Sequence, residues 1–387
     1  MKYSILIIAI DCHFSHMARF VSNLKLANPE VEIHFFTNKK KEDIPVEISD
    51  NVFEIIHQNR NNGRGGYLGV LRKIVSLKRQ FKKLSKKYKY DIIDIQYPHY
   101  YMAFIMRYLK KMSNNIVVTP WGSDILRVDG LRYKVLMNGV LDKCNYITTA
   151  EENNIRKRIL DTLPNSGFRF VPAGWGSETI DYIVHHLGEI DTQTAKKQFG
   201  LSDKFVITCG YNAFRAQNHD KIIEAIARIR PQLPDNLMLL FPVSYGAGDK
   251  KQYVSELREL CKEKNLDATF VEDYMSVENV FYLRMATDLF VHVQNTDAGC
   301  ATIQEYLMCD KKVVHGSWIH YKMLEAYLPL CYYPAVDFSV LGDAIMKAYQ
   351  SEGIKVAPEV LDYIRGNGWE VKRKGWNDFF SSIVSKA

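Results

Sequence analysis

The sequence predicts an α/β protein built from two doubly wound, Rossmann-like domains in succession. Short apolar runs alternate with helical patterns from residue 4 to 171, and the same alternation starts again at residue 205. The interval 174–201 is polar and holds no strand-like run. The strand-like runs are rich in Ile and Val and nearly continuous in hydrophobicity, as strands buried on both faces by crossover helices are. A length of 387 residues corresponds to roughly two to three domains.

In the first half, residues 4–10, 31–37, 52–57, 91–97, 115–119, 146–149 and 168–171 read as strands. Residues 17–26, 71–90, 101–112, 131–142 and 151–161 read as helices between them. Pro98 and Pro120 stop two of the strands. In the second half the strands are 205–209, 237–241, 268–271, 289–293 and 312–315. The helices are 220–230, 251–264, 277–286 and 301–308. Ile222, Ile223, Ile226 and Ile229 fall on one helical face. A last helix pair covers 358–365 and 369–384. The expected organisation is a first domain over 1–175, a connection over 176–204, a second domain over 205–360 and a terminal segment over 361–387. Two such domains form a cleft at the carboxyl ends of their strands, where ligands bind.

Composition narrows the class. Hydrophobic residues make up 47% and charged residues 25%, as in a globular protein. The 7 cysteines include no C-x-x-C pair, which argues against a zinc ribbon and for reduced, mostly buried thiols in the cytosol. No uncharged stretch reaches the roughly 20 residues that span a bilayer, so the expected location is cytoplasmic, with room for peripheral contact at the inner face of a membrane. Net charge is +7. Residues 71–90 carry Arg72, Lys73, Lys78, Arg79, Lys82, Lys83, Lys86, Lys87 and Lys89 around an apolar helical stripe. That helix is either a solvated face or a contact with anionic lipid. No nucleic-acid motif accompanies it, so nucleic acid is not an expected partner.

The stretch from Val293 to Glu305 carries the most chemistry. It follows a strand and opens a helix, and residues 298–302 are all small, which lets backbone N–H groups approach a phosphate. Asp297 precedes the helix and Glu305 lies inside it. Carboxylates aimed into a cleft accept hydrogen bonds from sugar hydroxyls, whereas an Asp at a helix start can equally be a cap.

With seven residues between Asp297 and Glu305, followed by Tyr306–Val314 of matching length and apolar pattern, the segment resembles the E-x7-E signature of GT-B retaining glycosyltransferases, particularly glycosyltransferase family four. The resemblance departs at two points: Asp297 is not Glu, and Ala298-Gly299-Cys300 replaces Gly-Phe-Gly. It implies that Asp297 contacts the transferred sugar, that backbone at Gly299, Cys300, Ala301 and Thr302 meets the diphosphate, and that Glu305 holds the ribose. It places donor contacts in the loop 210–219, where Gln217 stands at the usual Lys and Tyr211 or Asn212 at the usual Arg. Arg215, the one permanently charged side chain there, becomes the expected phosphate clamp, and a helix starting near Asn218 adds N–H donors. Tyr245 and Gly246 lie in a further donor loop, and Glu272 and Tyr274 where the family binds the base.

In the first domain, the turn Asp11–His16 lacks G-x-G-x-x-G, which argues against a dinucleotide-dependent dehydrogenase. His13 and His16 are spaced for a metal but have no evident third ligand, so no metal is expected. Residues 119–124 occupy the place of the family's His-Gly-x-Asp segment, with Trp121 at the His. His13, His16 and Trp121 are the expected acceptor contacts, and Asp124 or His13 the base should the reaction invert. Trp369 and Trp376 resemble the helix that crosses back to the first domain in GT-B enzymes. The resemblance is specific over residues 205–318.

The expected activity is transfer from a nucleoside-diphosphate sugar to a hydroxyl of a glycan or lipid-linked acceptor, as in surface polysaccharide synthesis, with retention and without a metal or other cofactor. A GT-B sugar-nucleotide epimerase and a non-catalytic sugar-nucleotide-binding protein share the layout.

Overall fold

A computed structural model describes residues 1–12, 14–58, 67–149, 153–297, 300–319, 321, 332–352 and 356–385. The chain divides into two compact units. Unit 1 comprises Met1–Gly176 with Trp369–Ala387, and unit 2 comprises Ser177–Gly368.

Unit 1 is a seven-stranded sheet in the order β3-β2-β1-β4-β5-β6-β7. Its strands are β1 (Ser4–Ala9), β2 (Glu32–Thr37), β3 (Glu54–His57), β4 (Ile92–Gln96), β5 (Ile116–Thr119), β6 (Tyr146–Thr148) and β7 (Arg169–Val171). Every pairing is parallel, with Ser4 opposite Glu32 and Ile5 opposite Ile92. The helices are α1 (Phe14–Ala27), α2 (Val46–Asn51), α3 (Tyr67–Lys87), α4 (Met106–Met112), α5 (Ser123–Leu126), α6 (Gly130–Gly139) and α7 (Asn154–Thr162). The expected helix over 101–112 begins as a 3₁₀ turn, Tyr100–Phe104, before α4.

Unit 2 opens with α8 (Glu178–His186) and α9 (Thr192–Gln198), so the segment expected as a bare connection is helical. Its strands are β8 (Phe205–Cys209), β9 (Leu237–Pro242), β10 (Ala268–Val271), β11 (Leu289–His292), β12 (Lys312–Gly316) and β13 (Tyr332–Ala335). They run parallel in the order β10-β9-β8-β11-β12-β13. The helices are α10 (His219–Ile229), α11 (Lys250–Glu263), α12 (Val277–Ala286), α13 (Ala301–Met308), α14 (Leu341–Gln350) and α15 (Pro358–Arg365). The terminal helix α16 (Trp369–Val384) belongs to unit 1.

Both sheets therefore reverse strand order at their first strand, between β1 and β4 and between β8 and β11. That reversal opens a crevice at the carboxyl edge, where doubly wound sheets bind ligands. The cores follow from the patterning. Ile222, Ile223, Ile226 and Ile229 of α10 are buried against β8 and β9, each contributing about 1.5–3 kcal/mol by leaving water. In unit 1, Trp369, Trp376 and Phe380 of α16 are buried with Phe20 and Phe35.

Candidate functional site

The carboxyl edge of the second sheet is tied together by side chains from three loops. Gly210 ends β8 with φ +62, a left-handed backbone that an L side chain strains. Asn218 is also left-handed, with φ 57, and its Nδ2 donates to the Val293 carbonyl at 2.7 Å and to Asn295 Oδ1 at 2.8 Å. Gln217 Nε2 donates to Gln294 Oε1 at 2.7 Å, the Tyr211 hydroxyl to the same oxygen at 3.4 Å, and Trp318 Nε1 to the Gln294 carbonyl at 2.9 Å. Asn212 Oδ1 accepts from the Phe214 amide at 3.0 Å. The loop after β9 joins by backbone: the Ala213 amide donates to the Tyr245 carbonyl at 2.7 Å, and a Cβ on Gly246 would sit 2.7 Å from the Ala213 oxygen. Tyr211, Asn212, Gln217, Asn218, Tyr245 and Gly246 thus all lie on one edge.

Asp297 stands beside this edge. Its Oδ2 accepts from the Tyr321 hydroxyl at 2.6 Å and lies 3.2 Å from His292 Nε2, with the hydroxyl 3.3 Å from that nitrogen. The His292 ring stacks on Tyr211 at 5.6 Å. Burial and the nearby Asp297 charge push the Tyr321 phenol well above its ordinary pKa, so it is a donor at neutral pH. Cys300 occupies the capping position of α13 with no side-chain cap hydrogen bond, and Ala301 and Thr302 open the helix. No acidic residue lies in that first turn, so the helix start presents N–H groups and the positive dipole end to an anion. Gln217 Oε1 and His292 Nδ1 are buried without a hydrogen-bond partner among the described residues. Orphaned buried acceptors and donors are costly, and a polar ligand satisfies such groups.

His292, Asp297 and Cys300 also bring one nitrogen, one oxygen and one sulfur within 4.8 Å of one another, the donor set of a three-ligand metal site. The Cys300 thiol is pushed well up by burial, so it is protonated as it stands and gives up that proton only on ligation. The sequence reading sought a third ligand near His13 and His16 and did not see this trio.

Several of the expected site residues are engaged in contacts of their own. Arg215 is exposed and already shared between Asp249, at 2.8 Å, and Glu256, at 2.8 Å, while lying over the Tyr253 ring. Two carboxylates, on α11 and at its cap, hold its guanidinium on the surface. Glu305 is buried, its Oε2 accepting from Arg284 Nε and Nη2 at 3.1 and 3.0 Å and its Oε1 from Ser177 Oγ at 3.0 Å. It holds α13 against α12 and α8 where a ribose contact was expected. Glu272 pairs with Arg258 at 2.6 Å on the surface, and Tyr274 is exposed. Asp124 is buried and accepts from the amides of Trp121, at 3.0 Å, and Gly122, at 2.8 Å. These bonds fix its carboxylate against the turn that leads into α5. Gly299 and His13 lie outside the described residues.

At the carboxyl edge of the first sheet, rings gather. His16 packs against Trp121 at 5.4 Å and Trp175 at 5.9 Å, and Trp121 against Trp175 at 4.9 Å. Beside them Asp11, left-handed at φ 57, accepts from Lys73 Nζ at 2.5 Å and the Tyr101 hydroxyl at 3.0 Å, with His99 at 4.0 Å. Burial works against the Asp11 charge, but Lys73, Tyr101 and His99 outweigh it and hold the carboxyl below its usual range. Sequence reasoning missed Lys73, His99 and Tyr101 here, as it missed His292 and Tyr321. Lys73, Tyr101 and Tyr321 reach their aspartates across 62, 90 and 24 residues, which no local spacing reports.

Residues 6–151 match the family model described as glycosyl transferase 4-like. Three solved structures align along the full length. Sucrose-phosphate synthase from Thermosynechococcus elongatus is 14% identical, with a TM-score of 0.72 over 100% of both chains. A glycosyltransferase from Rickettsia africae ESF-5 is 11% identical, with a TM-score of 0.72 over 100% of both. HepE from Anabaena, in complex with UDP and glucose, is 13% identical, with a TM-score of 0.64 over 100% of both. No curated protein sequence matches the chain. The chain has the GT-B fold of these structures, and the glycosyl transferase 4-like match falls within its first Rossmann-like unit. Among the described residues no helix is long and apolar enough to cross a membrane.

Proposed function

We propose that the protein moves a sugar from a nucleoside-diphosphate sugar to a hydroxyl of a glycan or lipid-linked acceptor in surface polysaccharide synthesis, with retention of configuration. The observation that carries the donor site is Asp297, fixed by Tyr321 and His292 beside the uncapped start of α13. In this reading Asp297 accepts hydrogen bonds from sugar hydroxyls. The N–H groups at Ala301 and Thr302 stabilise charge that grows on the diphosphate as the bond from the sugar's anomeric carbon to phosphate oxygen breaks. The acceptor oxygen bonds to that carbon, and its proton passes to the leaving phosphate oxygen. Gln217 Oε1 and His292 Nδ1 gain partners when donor binds. The UDP and glucose held by the Anabaena protein make UDP the first nucleotide to try.

The rings of His16 and Trp121 suit an acceptor sugar, one face stacked and its hydroxyls near Asp11. The helix α3 supports placement at the inner face of a membrane. Arg72, Arg79, Lys82, Lys83, Lys86 and Lys87 are exposed, no acidic residue lies between 67 and 87, and Leu68, Leu71 and Val75 are exposed beside them.

The test is a thermal-shift screen against UDP, GDP, dTDP, CMP and their sugars, repeated with Asp297→Asn. Stabilisation by one nucleotide family is expected, about 2.7 kcal/mol at a hundredfold excess over Kd, with the sugar's added shift lost in the variant. No shift with any nucleotide would overturn the reading.

A further inference from the structure

The amino edge of the first sheet holds a cavity of about 410 Å³ that the transfer reading leaves unassigned. It is built where β1, β2, β3 and β4 begin, the edge opposite the one where doubly wound sheets bind ligands. Strands of four to six residues separate the two edges by up to about 20 Å. We propose that this cavity is a second saccharide site, one that binds a neutral segment of glycan away from the reaction centre.

The floor is His34, which is buried. Its Nε2 lies 3.1 Å from Glu32 Oε1, and its Nδ1 lies 3.1 Å from the Tyr90 hydroxyl and 3.5 Å from Glu54 Oε2. The Tyr88 hydroxyl donates to both Glu54 oxygens, at 2.8 and 3.0 Å. The walls are therefore fixed by a closed hydrogen-bond network, so the rings are pre-organised. Tyr88 and Tyr90 lie nearly parallel, with centroids 5.9 Å apart and planes inclined by 17°. Phe53 faces the His34 ring at 5.2 Å and is 72% exposed.

Charge selects the class of ligand. Lys2 and Lys89 balance Glu32 and Asp91 along the lining. Asp91 is held by the Ser4 amide and hydroxyl at 2.7 and 2.9 Å, and Lys89 donates to the Lys111 carbonyl. An anion meets the carboxylates and a cation meets the lysines, so neither is favoured. A sugar ring has apolar C–H faces for aromatic walls and hydroxyls that both donate and accept, which suits Glu32 and Lys2. Because the two edges are a strand length apart, only an extended glycan could engage this site and the opposite edge of unit 1 together. The site stands on its own geometry and does not require the donor reading to hold.

Saturation-transfer NMR on the full chain with maltotetraose, cellotetraose and chitotetraose tests it, with uridine as a flat neutral ring for comparison. Transfer to at least one tetrasaccharide is expected. Phe53→Ala should weaken binding about tenfold, Phe53→Trp should retain it, and Asp297→Asn should leave it unchanged. Transfer to none of the sugars, transfer to uridine alone, or binding indifferent to Phe53→Ala would each overturn the proposal. A failed nucleotide screen leaves these outcomes readable, so the two readings fall separately.

Discussion

Arg284 and Glu305 form an ion pair in which both side chains are about 6% exposed. Burial works against the Arg284 charge, and Tyr306 and Glu305 more than restore it. Removing one partner strands the other charge, so Arg284→Met should lower stability by about 3–5 kcal/mol, and Arg284→Met with Glu305→Leu should recover much of that. Urea midpoints of the three proteins check it. A second residue sets a pH dependence. Burial pushes the His219 imidazole down to about 4 from its ordinary 6.5. Between those values the unfolded chain binds the extra proton, so the His219 contribution is complete above pH 6.5 and is lost as pH falls toward 4. The total is about 3 kcal/mol. Asp94 and Asp124, pushed up by burial to about 7, act with the opposite sign between pH 3.8 and 7. The difference in unfolding free energy between wild type and His219→Gln therefore isolates the histidine, and it should shrink on acidification. At this scale the sequence was legible only in part. Asp297 follows a strand and precedes a small-residue helix start, and that local pattern is what makes it a candidate. The partner of Glu305 lies 21 residues upstream on another helix, and the two carboxylates on Arg215 lie 34 and 41 residues away, so no local pattern reports either contact.

At the scale of elements, strand positions were legible nearly to the residue, since a buried parallel strand is an unbroken apolar run. Elements with few buried positions were not. Within α8 only Ile180 and Ile183 are buried, and within α9 the sole buried apolar residue is Ala195, so neither shows a readable stripe. The strand β13 contains Pro334 and lies at the sheet's edge, where a proline is tolerated but the strand signal is weak. The helix α3 is the opposite case, with both of its faces legible. Leu77 and Phe81 anchor it, while Lys82, Lys83, Lys86 and Lys87 stay exposed. If it rests on anionic lipid at about 1 kcal/mol per basic residue, reversing Lys82, Lys83, Lys86 and Lys87 to Glu should weaken binding roughly a thousandfold. Co-sedimentation with phosphatidylglycerol vesicles checks this, and unchanged binding would remove the membrane from the proposed function. The anchoring residues are untouched, so circular dichroism should show the fold intact.

At the scale of the whole molecule, the chain passes between units twice, at Gly176–Ser177 and again at Gly368–Trp369. Unit 2 is one continuous segment, whereas unit 1 needs both ends of the chain. The return is not ornamental. Trp369, Trp376, Phe380 and Ile383 of α16 are all buried in the unit 1 core, and the Trp376 indole N–H donates to the Gly174 carbonyl at 3.0 Å. Phe20 packs edge-on to Trp376 at 4.9 Å, so deleting α16 exposes the inner face of α1 as well. Each large ring lost from such a core costs about 3–5 kcal/mol, and a whole domain is stable by only about 5–15. A fragment of residues 177–368 should therefore unfold cooperatively by itself. Residues 1–176 alone should be molten or aggregated, and 1–176 joined by a flexible linker to 369–387 should regain a cooperative transition. Thermal unfolding followed by near-UV circular dichroism distinguishes these outcomes. A cooperative transition in residues 1–176 alone would show that α16 only decorates the unit whose core it fills here.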